Sequence, residues 1–192
     1  MFPAIAERIA AGARRLPWPA ALLKLVRRED GTAALEFAVV AAPFLALLFA
    51  IMESALMFLA GQTLESAAMN SSRLVLTGQA QNQGYSMASF QTSVCGALAS
   101  IFNCNNILID VRTATNFCSA NTSLPVQNGQ LQNNFTFSPG NPGDIVVVRL
   151  MYQWPVYVSL LGLASALSNM SGNNNLLMAT AAFRNEPYQP TP

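Results

Sequence analysis

Glu36 is a lone carboxylate at the head of a stretch, residues 37–52, that contains no charged side chain. An ionised group at the centre of a membrane helix costs at least ~2.5 kcal/mol on insertion scales, so an acid kept in such a place calls for a partner and a purpose. The chemistry open to it is electrostatic: neutralising a cation in surroundings where water cannot. Other chemistry is poorly supplied. The 192 residues include no histidine, which removes the imidazole base of the usual serine and cysteine triads and the commonest ligand of hydrolytic metal sites. No glycine-rich phosphate loop is present. Glu53, Glu65, Asp110, Asp144 and Glu186 are too scattered to act as a carboxylate pair and are expected on solvated faces, at caps or in surface ion pairs. Asp110 and Arg112 share one face of a strand pattern, where structural contacts are expected. The three cysteines, Cys95, Cys104 and Cys118, have spacings that match no zinc pattern. The sequence therefore predicts no enzyme, no metal site and no cofactor.

Glu36 is positioned by an apolar helix. With residues 32–35 before it and 54–60 after it, the uncharged stretch exceeds the ~20 residues that cross a bilayer. At ~1.5 Å per residue, the steps from Glu36 to Glu53 cover about 25 Å, placing the two carboxylates near opposite faces of a ~30 Å hydrocarbon layer. Six of the ten basic residues (Arg8, Arg14, Arg15, Lys24, Arg27, Arg28) precede Gly31, which keeps the leader on the cytoplasmic side. Beyond Gly31, four basic residues face six acidic ones, so no basic field invites nucleic acid. The apolar stretch is too long for a secretory signal, and Phe58 spoils an Ala-x-Ala site ending at Ala60. The better processing point is after Gly31, which leaves Thr32 as a new N-terminus and retains the anchor. Pro43 cannot donate to the carbonyl of Val39 and is expected to kink or loosen the helix there.

Past Glu53 the pattern turns amphipathic. Leu56, Leu59, Ala60, Leu64, Ala67, Ala68, Ser71, Leu74 and Val75 recur at helical steps, and the helix is expected to reach Thr77 and stop at Gly78. A second helix fits residues 86–102, capped by Ser86, with Met87, Phe90, Val94, Ala97, Leu98 and Ile101 on one face. Strand alternation follows over residues 107–112 and 146–154, the latter ended by Pro155. Residues 176–183 form a third candidate after the turn-forming 171–175, although their alanines also suit a helix. Residues 114–143, rich in Asn, Ser, Gly and Pro, read as a long surface excursion. These elements predict an α+β fold, a long N-terminal helix packed against a small antiparallel sheet with an additional helix.

The segment Arg27-Arg28-Glu29-Asp30-Gly31 followed by Thr32-Ala33-Ala34-Leu35-Glu36-Phe37 resembles the prepilin-peptidase motif of type IV-type pilins, and more narrowly that of TadE-like minor pilins, or pseudopilins, of the Tad (Flp) pilus system. The resemblance extends through the helix, Ile109-Asp110-Val111-Arg112, Tyr152-Gln153-Trp154-Pro155 and the ending around Phe183, Arg184 and Glu186, and thins over residues 116–141. It implies cleavage after Gly31, with Thr32 first and Glu36 fifth in the mature chain, and subunit contact through Glu36 and Phe37. Cleavage exposes an ammonium on Thr32, which the Glu36 carboxylate of a neighbouring helix can neutralise. The implied partners are the bacterial inner membrane, prepilin peptidase, other Tad pilins and the assembly platform. Three parts are expected: a cytoplasmic leader over residues 1–31, a transmembrane helix over 32–60, and a periplasmic α+β domain over 61–192. All three cysteines then lie in an oxidising compartment. The family pattern suggests a Cys95–Cys104 disulfide, while the sequence leaves Cys104 with Cys118 open. Adhesion through the Asn-rich excursion has no ligand specified. The competing expectation is a membrane-tethered periplasmic binding or scaffold protein with an uncleaved anchor.

Overall fold

In the computed structural model, which describes residues 32–98, 100–157 and 167–189, the first element is a 45-residue helix, α1 (Thr32–Leu76). Gly31 and the leader lie outside the described residues. The helix runs through Pro43, and its hydroxyl side chains bond back to its own carbonyls: Ser54 Oγ donates to Ala50 O at 2.8 Å and Ser71 Oγ to Ala67 O at 2.7 Å. Such local bonds let polar residues sit on a largely apolar rod without orphaned hydrogen-bonding groups. α1 ends where the sequence places the stop. Thr77 N donates to Arg73 O, and Gly78 takes a left-handed φ of 76°. A Cβ on Gly78 would also lie 2.2 Å from the ring of Tyr188, so both conformation and space require glycine there.

The chain divides into two units, Met1–Leu47 and Leu48–Pro192. The described part of the first is the start of α1, almost all of it exposed. The second holds the rest of α1 and every other element. After α1 comes a single turn, α2 (Gln79–Asn82), then α3 (Met87–Ala97). Ser86 caps α3 in a reciprocal box with Ser89, each side chain accepting from the other's backbone N–H. α3 stops at Ala97, five residues short of the expected end, because the chain turns extended at Leu98 on its way to the Cys95–Cys104 disulfide. Phe102 still reaches the core, but from the loop and not from the helix, while Ala97 and Ile101 are exposed.

The sheet has the order β1 (Ile107–Ala114), β4 (Ile145–Pro155), β5 (Asn174–Arg184), all antiparallel. Residues 176–183, for which the alanines left a helix open, are strand: paired to β4 along their whole length, they use Ala179 and Ala181 as small core-face residues. The 114–143 excursion is more ordered than its composition suggests. It contains a 3-10 turn (Phe117–Ser119) and a small hairpin, β2 (Val126–Gln127) with β3 (Gln130–Leu131). It then returns to the sheet, where Val111 N donates to Thr136 O and Ser138 N to Val111 O, both at 2.8 Å. This return covers the free edge of β1.

One sheet face carries Ile107, Ile109, Val111, Val146, Val148, Leu150, Tyr152 and Ala179 into a core shared with Ala60, Leu64, Ala67, Ala68 and Val75 of α1 and Phe90 and Val94 of α3. The apolar stripe of α1 differs from the expected one at its start: Leu56 and Leu59 are exposed, and Glu53 and Met57 are buried in their place. The inward face of the helix is thus rotated there toward Glu53, Met57, Ala60 and Leu64, a three- and four-residue series that includes a charged member.

Candidate functional site

The head of α1 presents its chemistry outward. Thr32, Glu36 and Phe37 are all exposed, and Glu36 makes no hydrogen bond or ion pair among the described residues. Around them Leu35, Val39, Val40, Phe44 and Leu45 are exposed large apolar side chains. α1 is long and apolar enough to cross a membrane, which agrees with a single-pass membrane protein. An ionised carboxylate on a lipid-facing surface is costly unless a counter-charge answers it.

Glu53, expected to mark the far side of the layer, sits differently. Its side chain is buried, with 6% of the residue exposed, and Oε1 accepts a 2.5 Å hydrogen bond from the backbone N–H of Tyr157, just past the end of β4. A charge-assisted bond to a backbone amide gives this carboxylate a satisfied site inside the fold.

Cys95 and Cys104 form a disulfide with Cα atoms 5.8 Å apart, and Cys118 is a free, exposed thiol, so the Cys104–Cys118 alternative is not the pairing in this structure. Gln91 of α3 reinforces the closure: its Nε2 donates to Cys104 O at 2.9 Å and to Ile107 O at 3.3 Å. The link therefore fastens α3 to the start of β1.

Asp110 departs furthest from its sequence expectation. It is fully buried, on the sheet face turned away from α1, and not in a solvated surface pair. Arg149, directly opposite in register on β4 and 4% exposed, bonds Asp110 Oδ2 through Nε at 3.0 Å and Nη2 at 2.5 Å. Arg112 Nε donates to Oδ1 at 2.9 Å, as does the Thr136 amide. Burial pushes the Asp110 carboxyl up, but the bonds from Arg149, Arg112 and Thr136, with the Arg149 charge, outweigh it and hold the group below its ordinary 3.8. The arginines reach onward to the excursion: Arg149 Nη1 donates to Ser123 O at 3.2 Å and Arg112 Nη2 donates to Asn134 O. A 250 Å³ pocket opens beside them, lined among others by Asn121, Ser123, Gln127 and Gln132. Since Arg149 uses every side-chain nitrogen within the protein, this cluster is a clasp between sheet and excursion and not a reactive centre. Sequence reasoning paired Asp110 with Arg112 but missed Arg149 and Thr136; the available signal was an opposite charge midway along each of two strands.

No group of His, Cys, Asp and Glu among the described residues is arranged to hold a metal ion. The ion pairs among the described residues are those of Asp110 with Arg112 and Arg149.

Compared with known proteins, residues 31–73 match the family described as TadE-like protein. No curated protein and no solved structure matches the chain. The matched stretch opens at the glycine of the leader junction and takes in Glu36, the apolar run, Glu53 and most of the buried stripe of α1. Over residues 31–73, 43 of its 192 residues, the chain is similar to TadE-like proteins.

Proposed function

We propose that the protein is a minor pilin, or pseudopilin, that takes part in assembling a Tad (Flp, type IVb) pilus after its leader is removed. In this reading residues 1–31 stay in the cytoplasm until prepilin peptidase cuts after Gly31, residues 32–60 hold the chain in the inner membrane, and residues 61–192 stand in the periplasm. The observation that carries the reading is the TadE-like match, which begins at the junction itself, joined to an outward Glu36 carboxylate with no partner among the described residues. The cut would free an ammonium on Thr32, and the Glu36 of an adjoining subunit would neutralise it. Exposed Ala33, Ala34, Ala38 and Ala42 let helices approach closely in lipid, where packing replaces the hydrophobic effect as the attraction, and Phe37 beside Glu36 adds apolar contact. Incorporation into an extracellular pilus would follow from the same contacts.

Determining the N-terminus of the membrane-derived protein by mass spectrometry, with and without prepilin peptidase, tests the processing: a mature chain starting at Thr32 only when the peptidase is present is expected, and one that begins at Met1 in both refutes it. Glu36→Ala tests the contact. Insertion and cleavage should be unchanged while incorporation with partner pilins is lost; assembly at the wild-type level would remove the role given to Glu36.

A further inference from the structure

We propose that Tyr157 is an interfacial anchor, so that the end of β4 rests in the headgroup layer of the membrane that α1 enters. The inference depends on α1 being a membrane span, and on nothing about cleavage or pilus assembly. α1 carries exposed apolar residues up to Met52, one position before Glu53. Leu56, Phe58 and Leu59, in the turns that follow, are exposed as well. From Thr32 to Leu59 the helix rises about 40 Å, which exceeds a ~30 Å hydrocarbon core and matches a bilayer of ~40–45 Å with its headgroups. The turns from Glu53 to Leu59 therefore occupy the headgroup layer.

Tyr157 is fixed at that depth. Its backbone N–H is bonded to Glu53 Oε1 at 2.5 Å, so the residue cannot lie more than a side chain's length from the Glu53 turn. The residue is 78% exposed, a large exposure for an aromatic ring. A tyrosine presents an apolar body and a polar hydroxyl, the combination enriched at membrane–water boundaries. The bond also explains how Glu53 can stand directly after the exposed apolar run that ends at Met52: the carboxylate is turned into the domain and answered there. The sequence that follows, residues 158–167, contains no charged residue, so no charge in it would oppose the approach of β4 to lipid.

The test uses the full-length chain reconstituted into phosphatidylethanolamine–phosphatidylglycerol vesicles, with Cys118→Ser as background and a nitroxide label at Tyr157→Cys. Matching labels go at Asn121→Cys, an exposed excursion position, and Phe49→Cys within the span. Tyr157 contributes only its backbone N–H to the Glu53 bond, so the substitution leaves that bond in place. Power-saturation spectroscopy then compares access to oxygen, which concentrates in lipid, with access to a water-soluble nickel chelate. A several-fold higher oxygen-to-chelate ratio at 157 than at 121 is expected. Chelate access at 157 equal to that at 121, with position 49 still shielded, overturns the anchor and leaves the span standing. Low access of both reagents at 157 marks a protein contact and also overturns it. Free chelate access at position 49 removes the span itself, a separate failure that takes the anchor with it.

Discussion

Removing the carboxylate of Asp110 tests the claim that the domain is clasped from behind its sheet. Asp110→Asn leaves Arg149, 4% exposed, without its charge partner and weakens four hydrogen bonds at once, from Arg149 Nε and Nη2, Arg112 Nε and the Thr136 amide. Breaking one side of a buried ion pair costs about 3–5 kcal/mol, because the surviving charge stays buried. For a domain of this size ~1 kcal/mol corresponds to a Tm change of about 2–4 °C, so the expected fall is roughly 6–20 °C. Asp110→Leu combined with Arg149→Met removes both charges and should recover most of the loss, since apolar pairs of similar volume commonly replace buried ion pairs without net cost. Near-UV circular dichroism of the full chain in detergent, followed with temperature, reads both variants. The pH dependence has a definite sign. The Asp110 carboxyl is held below its ordinary 3.8 in the folded state, so its contribution is complete above 3.8 and is lost as pH falls through the lower, folded value. Acid destabilisation below 3.8 should therefore be smaller in the double variant than in wild type. A single variant within ~1 kcal/mol of wild type, or a double variant as unstable as the single, would refute the clasp.

Gly78→Ala should destabilise the domain by at least ~1 kcal/mol from the left-handed φ alone, with more from the Tyr188 ring; in a Tyr188→Ala background only the conformational part should remain, as a thermal double-mutant cycle would show. One thiol per chain, at Cys118, should react with maleimide before reduction, and three after it; reaction at Cys95 or Cys104 in the unreduced native protein would contradict the pairing. Cys95→Ser with Cys104→Ser should lower stability by about 2–3 kcal/mol, the chain-entropy value for so short a loop, measured by the same thermal assay. Leu64→Ala, at a position with no exposure in the middle of the shared core, should cost about 2–5 kcal/mol, against a negligible effect of Leu56→Ala in detergent.

Periodicity made the elements legible. The stop at Gly78, the cap at Ser86 and the strands around Ile109 and Val148 all rest on local patterns, and local patterns are what a sequence displays. What it concealed was set by pairing across distance. Arg149 lies within an alternating strand, and nothing in its neighbourhood says that an excursion 26 residues earlier in the chain will fold over it and accept its hydrogen bond at Ser123. Leu59 looked buried, and Glu53 looked like a boundary marker, because a helical stripe read from hydrophobicity alone cannot anticipate that the Tyr157 amide will make a carboxylate the better inward residue. The short end of α3 has the same origin, a disulfide that pulls the chain out of a helix its side chains could have continued. At the head of α1 the reverse holds: a single turn of sequence around Glu36 carries the whole candidate site, since its partner would belong to another molecule.

The last carbonyl of α1 does not end in solvent. Leu76 O accepts the amide of Glu186 at 2.9 Å, and two residues on, Tyr188 lies across Gly78 and reaches Gly140 O with its hydroxyl at 3.3 Å. Tension drawn along the rod toward its N-terminus would thus be handed to the carboxy-terminal tail, which continues from β5 on one side and reaches the Gly140 bend on the other. A truncation upstream of Glu186 would cast off that mooring, leaving the rod's far end held by side-chain packing and by Gln81, whose Nε2 donates to both Val75 O and Pro139 O.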